Sequence, residues 1–389
     1  MDAVRPALID KPAAFREWSR PQRPLVVSTR AVDGWLLGGV LALLALGLLM
    51  VYDASYFLVQ ERFGDGYLLV RRQLTFTCIG IGVALLALRV DIRLMRHLTY
   101  PLLGAMILLL VLVLIPGIGI ERGGARRWLS TGFFVFEPSE LLKPVFVLAL
   151  AHSVSRKGPR MRGFLDGVVP HLVVALVPIL FLLGQPDFGS AAIILLLTLV
   201  MLFVGGARAW HLALPGLAAL PAAGALIWHS PYRWRRLVGF LDPWNDPLGA
   251  GFQLCQSLLA FGNGGFAGVG LGDSNQKLFY LPEGHTDFIF ALIGEELGFV
   301  GALAVIACWC LIALRGFRVA LRLGDDFSRL AAFGITFVLV AQAALNIGVV
   351  LGLLPTKGLP LPLMSYGGSS LVTTGLCVGI LLRLSREAR

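Results

Sequence analysis

Apolar residues in this chain come in long runs, not in the two-residue alternation of a half-buried strand. From Gly34 onward ten such runs are legible, at about 34–52, 73–89, 98–118, 140–154, 165–184, 188–206, 210–228, 287–314, 330–352 and 369–384. Most approach the roughly 20 residues that a helix needs to cross hydrocarbon; the fourth is the shortest and opens on polar residues. The pattern predicts an all-α polytopic integral membrane protein of about ten transmembrane helices, occupying residues 34–385. Residues 1–33 hold four prolines (Pro6, Pro12, Pro21, Pro24) and six Lys or Arg, the composition of a flexible cytoplasmic tail. Residues 386–389 form a short cytoplasmic C-terminus. No small-residue cleavage pattern follows the first run, so it is expected to remain in the membrane as a span.

One connection stands apart. Residues 229–286 form a long outer loop that mixes Trp234, Phe240, Trp244, Phe261 and Tyr280 with glycines, prolines and charges. Disordered segments are poorer in aromatics, so this loop is expected to fold onto the membrane surface. No internal repeat marks a transporter of two related halves.

Composition agrees: 57% of the 389 residues are hydrophobic and 14% charged, against roughly 25% charged in soluble domains. Mean hydropathy is +0.80. A soluble enzyme, a secreted disulfide scaffold and a disordered chain are excluded. The formal net charge of +10 would suit nucleic acid, but its distribution explains it better. With the N-terminus inside, 21 of the 33 Lys and Arg fall in cytoplasmic segments, against only 9 of the 23 Asp and Glu. That is the positive-inside asymmetry of a membrane protein with both termini cytoplasmic, and no nucleic-acid partner is implied. The five cysteines (Cys78, Cys255, Cys308, Cys310, Cys377) have neither disulfide nor metal-thiolate spacing.

Candidate chemistry gathers on the outer side. The stretch from Leu281 through Glu283 and His285 to Asp287 leads into the eighth run, which places Asp287 in the first turn of that helix. An N-terminal carboxylate favoured by the helix dipole is one reading. A general base, partly desolvated beside Glu283 and His285, is the other. Glu295 would lie on the same face about 12 Å deeper, paired with Lys143 or with Gln342 and Asn346. Gly294 and Gly298 would admit a neighbouring helix. Arg126, Arg127, Arg233, Arg236, Lys277 and Lys357 lie in outer segments, several beside aromatics, as contacts to a phosphate-bearing lipid would. Each alone would also serve as an interfacial anchor. Ser365 and Ser369 open the last span, where free N–H groups could hold an anion. The glycines between Gly262 and Gly272 match neither dinucleotide nor P-loop spacing and read as tight turns and close packing. The six histidines show no metal spacing.

Several stretches are shared with one known family: Phe240-Leu-Asp-Pro-Trp-Asn-Asp-Pro247, Gln256-Ser-Leu-Leu-Ala-Phe-Gly262, Leu281-Pro-Glu-Gly-His-Thr-Asp-Phe-Ile-Phe290, Gly294-Glu-Glu-Leu-Gly298 and Ser365-Tyr-Gly-Gly-Ser-Ser370. With ten spans they make residues 34–385 resemble the SEDS proteins (shape, elongation, division and sporulation). Leu354-Pro-Thr-Lys-Gly358 resembles the division branch more than the elongation branch. Asp53, Gly284 and Asn263 depart from residues common in the family.

The resemblance implies a peptidoglycan glycosyltransferase. It would polymerise lipid II, an undecaprenyl-pyrophosphate-linked disaccharide peptide, at the outer face of the bacterial cytoplasmic (inner) membrane, at the division septum. Implied partners are a class B penicillin-binding protein of the FtsI transpeptidase type, the divisome proteins FtsQ, FtsL and FtsB, and membrane lipid. The family's essential carboxylate falls on Asp287. Substrate contacts would come from Arg126, Arg127, Lys143, Arg233, Arg236, Lys277, Glu283, His285, Glu295, Lys357, Ser365 and Ser369. No cofactor is required by the motifs; a divalent cation is left open. A membrane-facing groove should lead to Asp287, because the lipid tail must stay in the bilayer while the sugar reaches the base. The alternatives are a lipid II flippase, an elongation-type polymerase and a non-enzymatic scaffold of the division machinery.

Overall fold

A computed structural model describes residues 31–122, 124–130, 132, 134–274, 276 and 284–388. The fold is a helical bundle. Helix α1 runs Gly34–Phe63, α2 Leu68–Arg89 and α3 Ile92–Leu114. After β1 (Gly119–Arg122), β2 (Ala125–Ser130) and β3 (Val135–Phe136) come α4 (Pro138–Lys157), α5 (Val169–Gly184, entered through a π-helical turn), α6 (Phe188–Val204) and α7 (Ala209–Trp228). The long loop holds α8 (Pro231–Leu241) and α9 (Phe252–Gly264), and the chain continues into α10 (Ile289–Glu296), α11 (Gly298–Arg322), α12 (Asp326–Val350) and α13 (Gly368–Ser385).

Among the described residues eight helices are long and apolar enough to cross a membrane. Helix α6 is apolar but shorter, and α4 carries Glu140, Lys143, Arg156 and Lys157. Large apolar side chains such as Leu86, Leu108, Leu217 and Leu314 are exposed, as a lipid-facing surface requires. The bundle centre is α4 and α12, whose inward faces hold Phe146, Leu150, Ile335 and Leu339. Asp33 N–H donates to Ser385 Oγ (3.2 Å), so the two ends of the bundle meet on one face. The opposite face is called outer below.

Several expectations are corrected. Helix α1 extends eleven residues past the predicted limit of 52, because no helix breaker intervenes before Gly64, which takes a left-handed C-cap (φ 71°). The span predicted at 98–118 begins earlier, where Asp91 accepts a bond from Arg93 N–H, and ends at Leu114. Beyond it lies a small three-stranded antiparallel sheet, β1-β2-β3, an addition to a fold that is otherwise helical. Its strands are short and polar, and an apolar-run reading does not detect them. Of the predicted tail, Asp33 is buried and held by Arg315; residues 1–30 lie outside the described residues.

The eighth span, predicted as one helix over 287–314, is broken at Leu297 between α10 and α11. The glycine-rich run explains the break. Val269 and Gly270 N–H donate to the carbonyls of Glu295 and Glu296 (3.0 and 3.1 Å), and Phe299 N–H donates to Gly265 O (3.0 Å). The loop thus takes up hydrogen bonds that the helix gives up at its break. Gly298 takes φ 64°, and a Cβ there would lie 2.3 Å from Gly268 N. The expected close approach at Gly294 is made by the Phe261 ring of α9, 2.2 Å from where a Cβ would stand. The long loop therefore folds onto the bundle, with Ser257 Oγ donating to Val350 O (2.6 Å).

Candidate active site at the outer surface

Asp287 lies just outside α10. The helix N-cap is Phe288, and its side chain makes no capping bond. The prediction that Asp287 occupies the first turn of the helix is corrected: it precedes the N-cap by one residue. The segment 284–288 is instead held from outside. Tyr366 N–H donates to His285 O (2.9 Å), the Ser365 hydroxyl donates to Thr286 O, and Asn346 Nδ2 donates to Asp287 O (2.7 Å). Three consecutive carbonyls thus have donors from two other parts of the chain. Ser365 is fixed in turn: its Oγ accepts from Leu361 N–H (2.8 Å), and its carbonyl accepts from Gln73 Nε2 of α2 (3.2 Å). Leu363 takes φ 68° on this loop, a left-handed conformation that non-glycine residues adopt at a cost of about 1–3 kcal/mol.

The Asp287 side chain is half-buried. A Cβ on Gly358 would lie 3.1 Å from Asp287 Oδ2, so the carboxylate rests on the bare backbone next to Lys357. Burial lowers the Lys357 ammonium from its ordinary pKa, and Asp187 partly offsets that. Asp187 caps α6 through Ser190 N–H (3.1 Å) and lies 4.0 Å from the Arg127 guanidinium. Glu137, at the N-cap of α4, is pushed up to about 8 by burial, with Glu140 and Asp187 adding to the shift and Lys143 and Arg127 opposing it. Asp287, Lys357, Asp187, Arg127 and Glu137 thus lie in one polar neighbourhood of alternating charge.

Many predicted substrate contacts are already used by the protein itself. Arg126 bonds Glu121 (2.9 Å) and Leu114 O (3.4 Å). Arg127 donates to Gln185 O (3.2 Å) and Pro186 O, tying β2 to the α5–α6 turn. Arg233 donates to Leu226 O (2.7 Å) and lies over the Phe188 ring; Arg236 reaches Thr356 O (3.4 Å) and lies over Tyr232. Lys143 is 1% exposed, and its ammonium is held by Glu140 (2.6 Å) and Gln342 (2.8 Å). It therefore cannot also reach a phosphate, and it does not pair with Glu295. That carboxylate is held by Ser274, Gln276 N–H (3.3 Å) and Asn263 (3.4 Å), which corrects its predicted partners and leaves it anchoring the outer loop. Ser369 Oγ accepts from Glu137 N–H (3.0 Å) and Ser365 is spent as above, so neither hydroxyl is directed to an anion. The His285 ring packs against Tyr366, centroids 5.8 Å apart. Lys277 and Glu283 lie outside the described residues. Among the described residues no three His, Cys, Asp or Glu are grouped to hold a metal ion.

Under the Ser365 loop, an apolar cavity of about 160 Å³ lies between α1, α2 and α13, bounded by Leu41, Leu85, Leu363, Leu371 and Val378. Leu41 and Leu85 are more than half exposed, so it opens on the lipid-facing surface. Its lining runs from Leu363 toward Leu37, Leu88 and Leu382 near the opposite end of the bundle and includes no residue of the Asp287 neighbourhood. Gln342, Asn346, Glu137 and Asp187 contribute to the site, although none was expected as a substrate contact. The signal for the first two was present: two amides at i and i+4 in an otherwise apolar span require partners.

Fold and site together define a multi-pass helical membrane protein with a carboxylate set at its outer surface. The chain belongs to the FtsW/RodA/SpoVE family, described as cell cycle proteins, whose model matches residues 35–389. It is 45% identical over 348 residues, 90% of this chain and 93% of the relative, to "Probable peptidoglycan glycosyltransferase FtsW" of Geobacter sulfurreducens. It is 42% identical over 349 residues, 90% and 95% of the two chains, to "Stage V sporulation protein E" of Bacillus subtilis. Among solved structures, a chain of a peptidoglycan synthase complex that coordinates polymerization and crosslinking matches with TM-score 0.77 and 34% identity, covering 92% of this chain and 98% of that one. The rod shape determining protein RodA of Thermus thermophilus matches with TM-score 0.69 and 32% identity at the same coverage.

Proposed function

We propose that this protein is a peptidoglycan glycosyltransferase of ten membrane passes that polymerises lipid II, with Asp287 as the general base. The observation that carries this is the Asp287 carboxylate, half-buried on Gly358 beside Lys357 at the outer end of the bundle. The names of the relatives support the reaction class. Asp287 takes the proton from the 4-hydroxyl of the acceptor N-acetylglucosamine. That oxygen attacks the anomeric carbon of the lipid-linked glycan, and the pyrophosphate leaves with the bonding electron pair. Positive charge near the leaving group stabilises it, and Lys357, adjacent to the glycine that the Asp287 carboxylate meets, is assigned that role. A single displacement inverts the anomeric centre and needs only one catalytic carboxylate. The apolar cavity ending at Leu363 suits part of a polyprenyl tail.

Ten passes follow from α4 and α6 joining the eight longer spans, α10 and α11 making one pass, and both ends meeting on one face, which requires an even number. We place that face in the cytoplasm, from the distribution of Lys and Arg. The buried polar pair Lys143–Glu140 sits within two turns of the outer end of α4, which favours outer-face chemistry over a path across the bilayer. The class B penicillin-binding protein is the proposed partner, with the division septum as the place of action.

The test is polymerisation of purified lipid II by the full-length protein with its cognate penicillin-binding protein, read as glycan strands on a gel. Asp287→Ala and Asp287→Asn should both lose about 10²–10⁴-fold in rate while remaining folded and partner-bound. An Asn variant retaining more than about a tenth of the normal rate would send the search for the base elsewhere.

A further inference from the structure

We propose that Asn346 is a positioning residue for the transfer reaction, one that clamps the Asp287 segment to the Lys357 loop. The inference rests on the reading of Asp287 as the base. Helix α12 passes behind both segments and is among the most buried helices of the bundle. From it, the single amide of Asn346 donates both its hydrogens: one to Asp287 O and one to Leu359 O, each at 2.7 Å. These are the carbonyls of the base itself and of the residue two beyond Lys357. Between the two anchored points the Asp287 carboxylate meets the backbone of Gly358, where a Cβ would come within 3.1 Å. One side chain therefore sets the separation between the carboxylate and the cation-bearing loop. Two features make this more than a packing contact. Both partners are carbonyls, so the amide orientation follows from chemistry: only the NH₂ end can serve them. Asn346 is 2% exposed, and its Oδ1 has no partner among the described residues. A fold selected for stability alone seldom keeps a buried orphan acceptor; a residue kept for geometry can. Both bonds of Asn346 go to main-chain carbonyls, so the role proposed for it is exerted through Asp287.

The experiment compares the purified full-length protein, with its penicillin-binding partner and lipid II, as wild type, Asn346→Ala, Asn346→Asp, Ser257→Ala and Asp287→Asn. Asn346→Asp keeps the size and removes both donors. Ser257→Ala removes a buried side-chain bond to the same helix, at Val350 O, and is the structural reference. The expected result is a kcat about 10²-fold lower for both Asn346 variants, as a displaced reacting group produces, with KM within about threefold of wild type because substrate contacts are intact. Ser257→Ala should lower the melting temperature and leave kcat per folded molecule unchanged. The proposal is overturned if the Asn346 variants keep wild-type kcat, or lose it only in proportion to folded protein as Ser257→Ala does. It is overturned equally if both fail to fold, since Asn346 is then a folding residue. Activity in Asp287→Asn would instead remove the base assignment itself, and that outcome is separable because it is read on a different variant.

Discussion

Ser365 shows how a residue's type and its use can differ. A serine at the mouth of a helix reads as an anion ligand, yet its hydroxyl is consumed by Thr286 O and Leu361 N–H. The same holds for Lys143 and Arg127, whose donors are taken by Glu140, Gln342, Gln185 and Pro186. Glu140 and Leu361 are only three and four positions away, but the other partners lie 58 to 199 positions away, which no local pattern assigns. Glu137 gives a residue-scale prediction. Its carboxyl is raised from 4.5 to about 8, with burial as the largest cause. The native state therefore holds a proton that the unfolded state has released, and stability falls as pH rises from about 4.5 to 8. Glu137→Gln cannot ionise, so its melting temperature should decline less across that interval than that of wild type, the two converging near pH 4.5. Parallel curves would mean that Glu137 titrates as an ordinary surface carboxyl.

At the level of elements, the long apolar runs were legible because hydrocarbon demands continuous apolar length. The break at Leu297 was not, because Gly294 and Gly298 fit an apolar helix that admits a neighbour equally well. The distinguishing fact is tertiary: Gly298 adopts φ 64° against the backbone of Gly268. The α2–α13 contact is another close approach, where Cβ atoms at Gly375 and Gly379 would lie 2.4 Å from Gly80 O and Ala84 O, as small residues between membrane helices permit. Gly298→Ala should destabilise the protein by about 1–3 kcal/mol from backbone strain and overpacking. Gly262, in helix α9 with nothing within 4 Å of its Cβ position, is the control. Gly262→Ala should be neutral or slightly stabilising, given the better helix propensity of alanine. Thermal unfolding in detergent measures both; equal effects would place the requirement in composition rather than in the seat that Gly268 forms.

For the whole molecule, the two faces carry separate tasks. On the face opposite Asp287, Asp33 caps α1 through Leu36 N–H (3.1 Å), donates its own N–H to Ser385 of α13, and accepts from the Arg315 guanidinium of α11 at 3.1, 3.0 and 2.5 Å. The first and last helices and α11 are thereby clasped at one point, with Asp33 5% exposed. Removing one partner of a buried ion pair leaves the other charge buried and costs about 3–5 kcal/mol. Arg315→Ala should therefore lower the melting temperature strongly. Arg315→Lys should fall between, since an ammonium lacks the planar fork that meets both carboxylate oxygens. The 30 residues of α1 correspond to about 45 Å at 1.5 Å per residue, so the clasp is remote from the Asp287 carboxylate. At a temperature where Arg315→Ala is still folded, its polymerisation rate per folded molecule should equal that of wild type. A rate that fell while the melting temperature held would show that the clasp communicates with the outer site, and the division of the molecule into a structural inner face and a chemical outer face would have to be abandoned.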